Sequence, residues 1–260
     1  MNVFKYYPPC DYHFDALLAG YFFFCKVLKL NDPFDASFDL IQSPSLIKFN
    51  NTLLTKNAKK IMDDYGTCSF STEKGNKMMW ALYADNYKGF VVEFDDTTFE
   101  SLNSMLLARI SYQKVVYHEK YPNLDDINYS FDYRNYDGEV EKIKICDCLK
   151  DEKTMDKLFT HLCSYKHNDW CNEKEWRLIA ANDIQRRKVP LIKYEPNGYK
   201  IPMPQNSIKS IIIGHNMSKD RYCCIEKASI KWNVPVLKTK IGKPFEIEFE
   251  EVVFGNELDL

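Results

Sequence analysis

Between residues 173 and 177 the chain reads Glu-Lys-Glu-Trp-Arg, setting two carboxylates and a guanidinium at alternate positions. If 174–180 is extended, Trp176 and Leu178 face one side while Glu173, Glu175 and Arg177 face the other. Same-face neighbours on a strand lie roughly 7 Å apart. At that spacing each carboxylate raises the pKa of the other, and the arginine opposes the shift. Such a trio is equipped to move protons or stabilise charge. A solvated sheet face carrying an intra-strand ion pair has the same pattern and little energetic worth, so the surroundings decide its meaning.

Four other patches carry polar chemistry. Lys5-Tyr6-Tyr7 puts a cation beside two aromatics at a strand start, otherwise an ordinary half-buried strand end. Asn31-Asp32-Pro33-Phe34-Asp35 offers acidic groups for a ribose or a metal, although the same residues build tight turns. In Ser69-Phe70-Ser71 alternation places both hydroxyls on one face, as a site holding a polar ligand above a sheet requires. Met79-Trp80 with Tyr83 supplies two rings at i and i+3 on one helix face, a spacing equally suited to a core. Cys146, Cys148, Cys163, His167 and Cys171 raise the question of zinc, but the usual Cys-x-x-Cys knuckle is missing and no metal site is assigned. No hydrolase triad, Walker sequence or dinucleotide fingerprint is visible.

The elements that must position these groups follow from periodicity and punctuation. Strands are expected at 3–7, 21–24, 67–71, 90–94, 114–117, 174–180, 208–213, 235–240 and 245–249. Helices are expected over 11–19 with Asp11 as cap and Gly20 as stop, and over 45–65, 77–86, 97–106, 155–166 and 219–231. Residues 118–151, rich in tyrosine, asparagine and charge, read as an insertion or lid. Strands and helices do not alternate regularly, which favours one α+β domain across 1–260 with a mixed or antiparallel central sheet.

Composition bounds the partners. The 260 residues are 45% hydrophobic and 15% aromatic, enough for a substantial core, and 35 lysines and arginines against 37 acidic residues create no global field toward nucleic acid or anionic membrane. Nine scattered cysteines and an opening without a signal-like apolar run suggest a cytoplasmic protein with reduced thiols. No stretch reaches the roughly 18 apolar residues of a membrane helix.

Taken in order, Lys5-Tyr6, the strand before Asn31 to Asp35, Cys68-Ser69-Phe70-Ser71, Met79-Trp80 with Tyr83-Ala84, Gly89 before Val92-Glu93-Phe94, Val116-Tyr117, Lys166, Trp170 and Glu173-x-Glu175-Trp176-Arg177 resemble the DUF2971 family of uncharacterised bacterial proteins, over residues 5 to about 214. More distantly, Ser69-Phe70-Ser71 and Glu173-Lys174-Glu175 resemble the middle and late strand motifs of the ADP-ribosyltransferase superfamily, although Lys5 stands where that superfamily has arginine or histidine. That resemblance implies a split α+β sheet and NAD as substrate. Glu175 would contact the nicotinamide ribose and Glu173 would act on the acceptor. Lys5 would meet the diphosphate, with Ser69 and Ser71 on the ribose and carboxamide. Tyr6 or Trp80 would stack on the nicotinamide, and Tyr83 and Arg177 would line the site. A role in bacterial defence and a protein or nucleic-acid acceptor are the further expectations. Two alternatives stand beside it: a nucleotide- or protein-binding module gripping its ligand with Arg177, Lys166 and Trp170, and a metal-dependent nuclease or hydrolase using Asp32, Asp35, Glu173 and Glu175.

Overall fold

The computed structural model describes the chain except residues 33, 36–61, 64, 107–108, 121, 127, 136, 149, 151, 181–188, 245 and 255–260. The helix expected over 45–65 falls almost wholly outside the described residues.

The chain opens with β1 (Asn2–Tyr7), α1 (Asp11–Ala19) and β2 (Tyr21–Lys26). Gly20 ends α1 in the left-handed region at φ 82°, where glycine meets no Cβ penalty. The cap position falls on Cys10, with no side-chain bond, and Asp11 sits in the first turn, where its charge favours the helix dipole. β3 (Gly66–Ser71), α2 (Lys77–Tyr83) and β4 (Phe90–Asp95) follow. α2 stops short of the expected 86 because Asp85, Asn86 and Tyr87 all turn to positive φ. Gly89 then admits β4 against β1, since a Cβ there would lie 2.0 Å from the Tyr7 carbonyl oxygen.

The expected helix over 97–106 is a 3-10 turn, Asp96–Glu100, continuing into α3 (Ser101–Leu106). The single strand expected at 114–117 is two, β5 (Ile110–Lys114) and β6 (Val116–His118). The proposed insertion holds a hairpin, β7 (Ser130–Arg134) and β8 (Val140–Lys144), then α4 (Ile145–Cys148). Phe131, Tyr133, Ile143 and Ile145 from this region enter a buried cluster with Leu158, Phe159 and Leu162 of α5 (Glu152–Leu162). The segment is therefore part of a core. α5 ends before 166, and Tyr165–His167 forms β9 parallel to β6.

β10 (Glu175–Ala180), β11 (Lys193–Glu195), β12 (Gly198–Pro202), β13 (Ile208–Ile213), α6 (Tyr222–Trp232), β14 (Val236–Ile241) and β15 (Ile247–Val252) complete the described chain. β11 and β12, short and tyrosine-bearing, carried no sequence expectation. The fold is α+β, with a large, mostly antiparallel open sheet whose β13 and β14 run parallel. Its order along the main path is β11-β12-β2-β3-β1-β4-β13-β14-β15, with β10 pairing β3 and β5.

The sheet forks at β3. One edge pairs along its whole length with β10, from Glu175 opposite Ser71 to Ala180 opposite Gly66. The other edge is shared, with Cys25 and Lys26 of β2 opposite Thr67 and Gly66, and Phe4 of β1 opposite Ser71. Among the described residues, positions 68–70 pair with neither branch on that edge. The gap is bridged by a side chain, with the Lys5 ammonium donating to the Ser69 carbonyl at 3.1 Å.

One face of the sheet is closed by α1 and α6 through Phe14, Leu17, Tyr222 and Ile225. On the other, Phe4 and Tyr6 pack with Met79 and Trp80 of α2, while Ile179 joins the α5 cluster. The charged residues lie between these two apolar groups. No helix among the described residues is long and apolar enough to cross a membrane.

Candidate functional site

Glu175 and Arg177 stand on one face of β10, opposite Ser71 and Ser69 of β3. Glu173 reaches the same place by a different route from the one expected. It ends a 3-10 turn, Asn168–Glu173, and Lys174 takes a left-handed conformation at φ 48°, so the strand begins only at Glu175. The two carboxylates meet through a buried lysine. Lys166, the middle residue of β9, donates to Glu173 at 2.6 Å and to Glu175 at 3.3 Å, and lies 3.9 Å from Asp35.

Arg177 is the second buried cation, with 1% of its surface exposed. Its Nε and Nη2 hold Glu175 in a bidentate pair at 2.8 and 3.1 Å, Nη2 also reaches both Asp35 oxygens at 3.1 and 3.0 Å, and Nη1 donates to the Cys163 carbonyl at 2.7 Å. Asp35 thus comes from the turn after β2, where Asp32 accepts the Phe34 amide and gives its carbonyl to the Asp35 amide. Three carboxylates face two cations, and ionised they leave one negative charge in excess.

The two glutamates differ electrically. Burial opposes ionisation of Glu175, but Arg177 and Lys166 override it and hold its carboxyl down to about 2. Burial pushes Glu173 up, the neighbouring Glu175 adds to the rise, and Lys166 only partly offsets it. Burial likewise raises Asp35 against the pull of Arg177. Two carboxyls driven apart in this way suit different tasks, one a fixed anion and the other a proton carrier.

Tyrosines complete the wall. The Tyr83 hydroxyl donates to Glu173 at 2.6 Å and accepts from the Asn31 amide at 3.3 Å, while the Tyr117 hydroxyl accepts the Glu175 backbone N–H at 2.9 Å. Burial raises both phenols well above their ordinary range. A cavity of about 100 Å³ opens over this cluster, lined by Lys5, Tyr6, Ser69, Ser71, Tyr83, Lys166, Glu173, Glu175 and Arg177 among others. Lys5, Tyr6, Ser69 and Tyr83 also line a larger cleft of about 500 Å³ in the fork of the sheet, together with Tyr7, Tyr21, Cys25, Thr67 and Lys200.

Eight of the nine site residues that the ADP-ribosyltransferase resemblance implies therefore line the cavity, Trp80 being the exception. Three of the nine, Ser71, Trp80 and Tyr6, have duties that limit a ligand role. The Ser71 hydroxyl donates to the Glu173 carbonyl at 2.8 Å and accepts the Glu73 amide, so it anchors the turn that carries Glu173. Trp80 is not a stacking platform: it is fully buried, edge-on to Tyr6 and stacked on Tyr87, with its indole N–H on the Lys74 carbonyl. Tyr6 donates to the Glu73 carbonyl. The Asp32, Asp35, Glu173 and Glu175 set does not gather as a metal site, because cations separate its carboxylates, and no group of three or more potential ligands occurs among the described residues, cysteines included.

Lys166, Asp35, Asn31 and Tyr117 belong to the site but were not assigned to it together. Lys166 and Tyr117 stood within the resemblance and Asp35 within the acidic turn, yet only the register of β6 on β9 and the return of the turn bring them in. Comparison with known proteins adds kinship over part of this constellation. No curated protein and no solved structure matches the chain, so the resemblance to ADP-ribosyltransferases has no support from either. Residues 79–178, which carry Tyr83, Tyr117, Lys166, Glu173, Glu175 and Arg177 but neither Lys5 nor Asp35, match the family described as "Protein of unknown function (DUF2971)".

Proposed function

We propose that the chain is an ADP-ribosyltransferase-like enzyme that cleaves NAD and transfers ADP-ribose to a macromolecular acceptor. The observation that supports this reading is the Glu173–Glu175 pair at the inner end of a cleft opened by the forked sheet. A dinucleotide needs such an elongated space with cations along it, and Lys5 and Lys200 stand on its walls to meet a diphosphate. In this reading Ser69 binds ribose hydroxyls; it lines both the cavity and the cleft, as do Tyr6 and Tyr83.

The chemistry follows from the charges. As the C1′–N bond breaks, its electron pair leaves with nicotinamide, neutralising the pyridinium, and positive charge grows at C1′. The excess negative charge of the cluster, fixed in Glu175 by Arg177 and Lys166, opposes that charge in a site shielded from water. The acceptor's lone pair forms the new bond to C1′, and its proton passes to Glu173, whose raised pKa brings it toward the working pH of a general base.

The test is nicotinamide release from NAD by purified protein, alone and with cell lysate, beside Glu175→Gln and Glu173→Gln. Release that falls by roughly 100-fold or more in Glu175→Gln is the expected result. Saturable NAD binding without release would make the chain a nucleotide-binding module, and neither binding nor release would end the NAD reading.

A further inference from the structure

A second cleft, of about 510 Å³, lies on the far side of Lys166 and shares with the carboxylate cavity only Asn31 and Lys166. Its wall is built on the parallel pair of β6 and β9, which sets His118 opposite His167 and Val116 opposite Tyr165. On it the exposed His118 ring stacks against the Tyr165 ring, 4.9 Å apart and tilted by 2°, so that buried Tyr165 backs His118. Trp170 adds another flat surface and carries the Lys166 ammonium 4.9 Å from its ring centre. Paired strands and a 3-10 turn hold these rings, so the flat walls are fixed before any ligand arrives.

We infer that this cleft is a separate binding site for a nucleobase, which lies against the exposed His118 ring and against Trp170, with its polar edge toward Asn31 and His167. The volume suits a nucleoside-sized ligand, and rings of this kind stack on bases through their π faces. Asn31 and His167 line the same space and offer the hydrogen bonds that a base edge needs and a hydrocarbon ring lacks. The rim sets exposed Glu119 and Asp169 against exposed Lys120, which is no funnel for phosphate. The ligand class is accordingly the base of a nucleoside and not a polyphosphate. The inference stands apart from the NAD reading, because none of these rings lines the fork.

Adenosine and guanosine, followed by saturation-transfer NMR on the purified chain with ribose as the sugar-only control, test it. Expected are saturation of the base protons, no ribose signal, and binding of at least one nucleoside weakened roughly tenfold or more in Trp170→Ala and in His118→Ala. His118 is exposed, so its replacement spares the fold, and Trp170→Phe, which keeps a flat ring, should retain most of the binding. Absence of binding by the wild type at millimolar nucleoside, or binding that both alanine variants leave untouched, would overturn the inference. Neither result depends on whether NAD is cleaved.

Discussion

Arg177 spends its guanidinium on Glu175, Asp35 and the Cys163 carbonyl, and nothing smaller or less branched could reach all three. Arg177→Leu would leave three buried carboxylates, Asp35, Glu173 and Glu175, facing only Lys166. Its expected cost is about 3–5 kcal/mol, seen as a lower urea midpoint at pH 7. Arg177→Lys should recover only part, because an ammonium lacks the fork. The pH dependence of stability separates the glutamates. Glu175, depressed from 4.5 to about 2, stabilises the fold above its unfolded value, and that contribution fades as pH falls from 4.5 toward 2. Glu173 and Asp35, both raised, act in the opposite sense: the fold loses stability as pH rises from their ordinary values of 4.5 and 3.8 through their folded ones. Denaturation midpoints across pH 2 to 8 should therefore show a shallower acid limb in Glu175→Gln and a smaller loss above pH 4.5 in Glu173→Gln. At this scale the sequence was informative about Glu175 and Arg177, since alternation alone puts them on one face. It was silent on Lys166 as partner of the glutamates, because Lys166 lies on β9 and Glu173 ends the 3-10 turn that follows, so no single regular element relates the two.

At the scale of elements, the site depends on how a 3-10 turn is held against a helix start. Asn76 caps α2 by accepting the Met78 and Met79 amides, and its own amide donates to the Asn172 carbonyl one residue before Glu173. Loss of a cap costs about 1 kcal/mol. Asn76→Ala should exceed that value in chemical denaturation, since it also frees the turn, whereas Asn76→Ser should restore the cap without the tie to Asn172. Most elements were legible where a glycine or a clean apolar pattern marked them, as with Gly20 after α1 and the β-branched run of β13. The misreadings share a cause. Tyr165–His167 looked like the tail of α5 because its apolar spacing continues the helical period, but parallel pairing with β6 overrode it. Glu173 looked like part of β10 because alternation is blind to a single left-handed residue, here Lys174.

Across the whole molecule, the sheet is well sealed at its centre and open at its margins. β1, β4 and β13 are mostly buried on both faces, whereas β15 alternates half-buried and exposed residues at an edge. Hydrogen exchange followed by mass spectrometry should find the slowest amides in β4 and β13 and the fastest strand amides in β11 and β15. Slow exchange at β15 would mean that this edge is covered in solution. The fork between β1 and β2 along one edge of β3 is a feature of the same scale, and no local pattern in these strands announces it. Sequence by itself determined the mixed α+β character, the principal strands and the residue types of the site, because these rest on periods of two and 3.6 and on turn chemistry within a few neighbours. Only the tertiary structure decided that β3 divides its edge between two branches, that Lys166, Asp35 and Tyr117 converge on Glu173 and Glu175, and that Trp80 is sealed in the core. Those outcomes depend on pairing between segments up to 142 positions apart, where burial and charge balance choose the partner and local spacing carries no information.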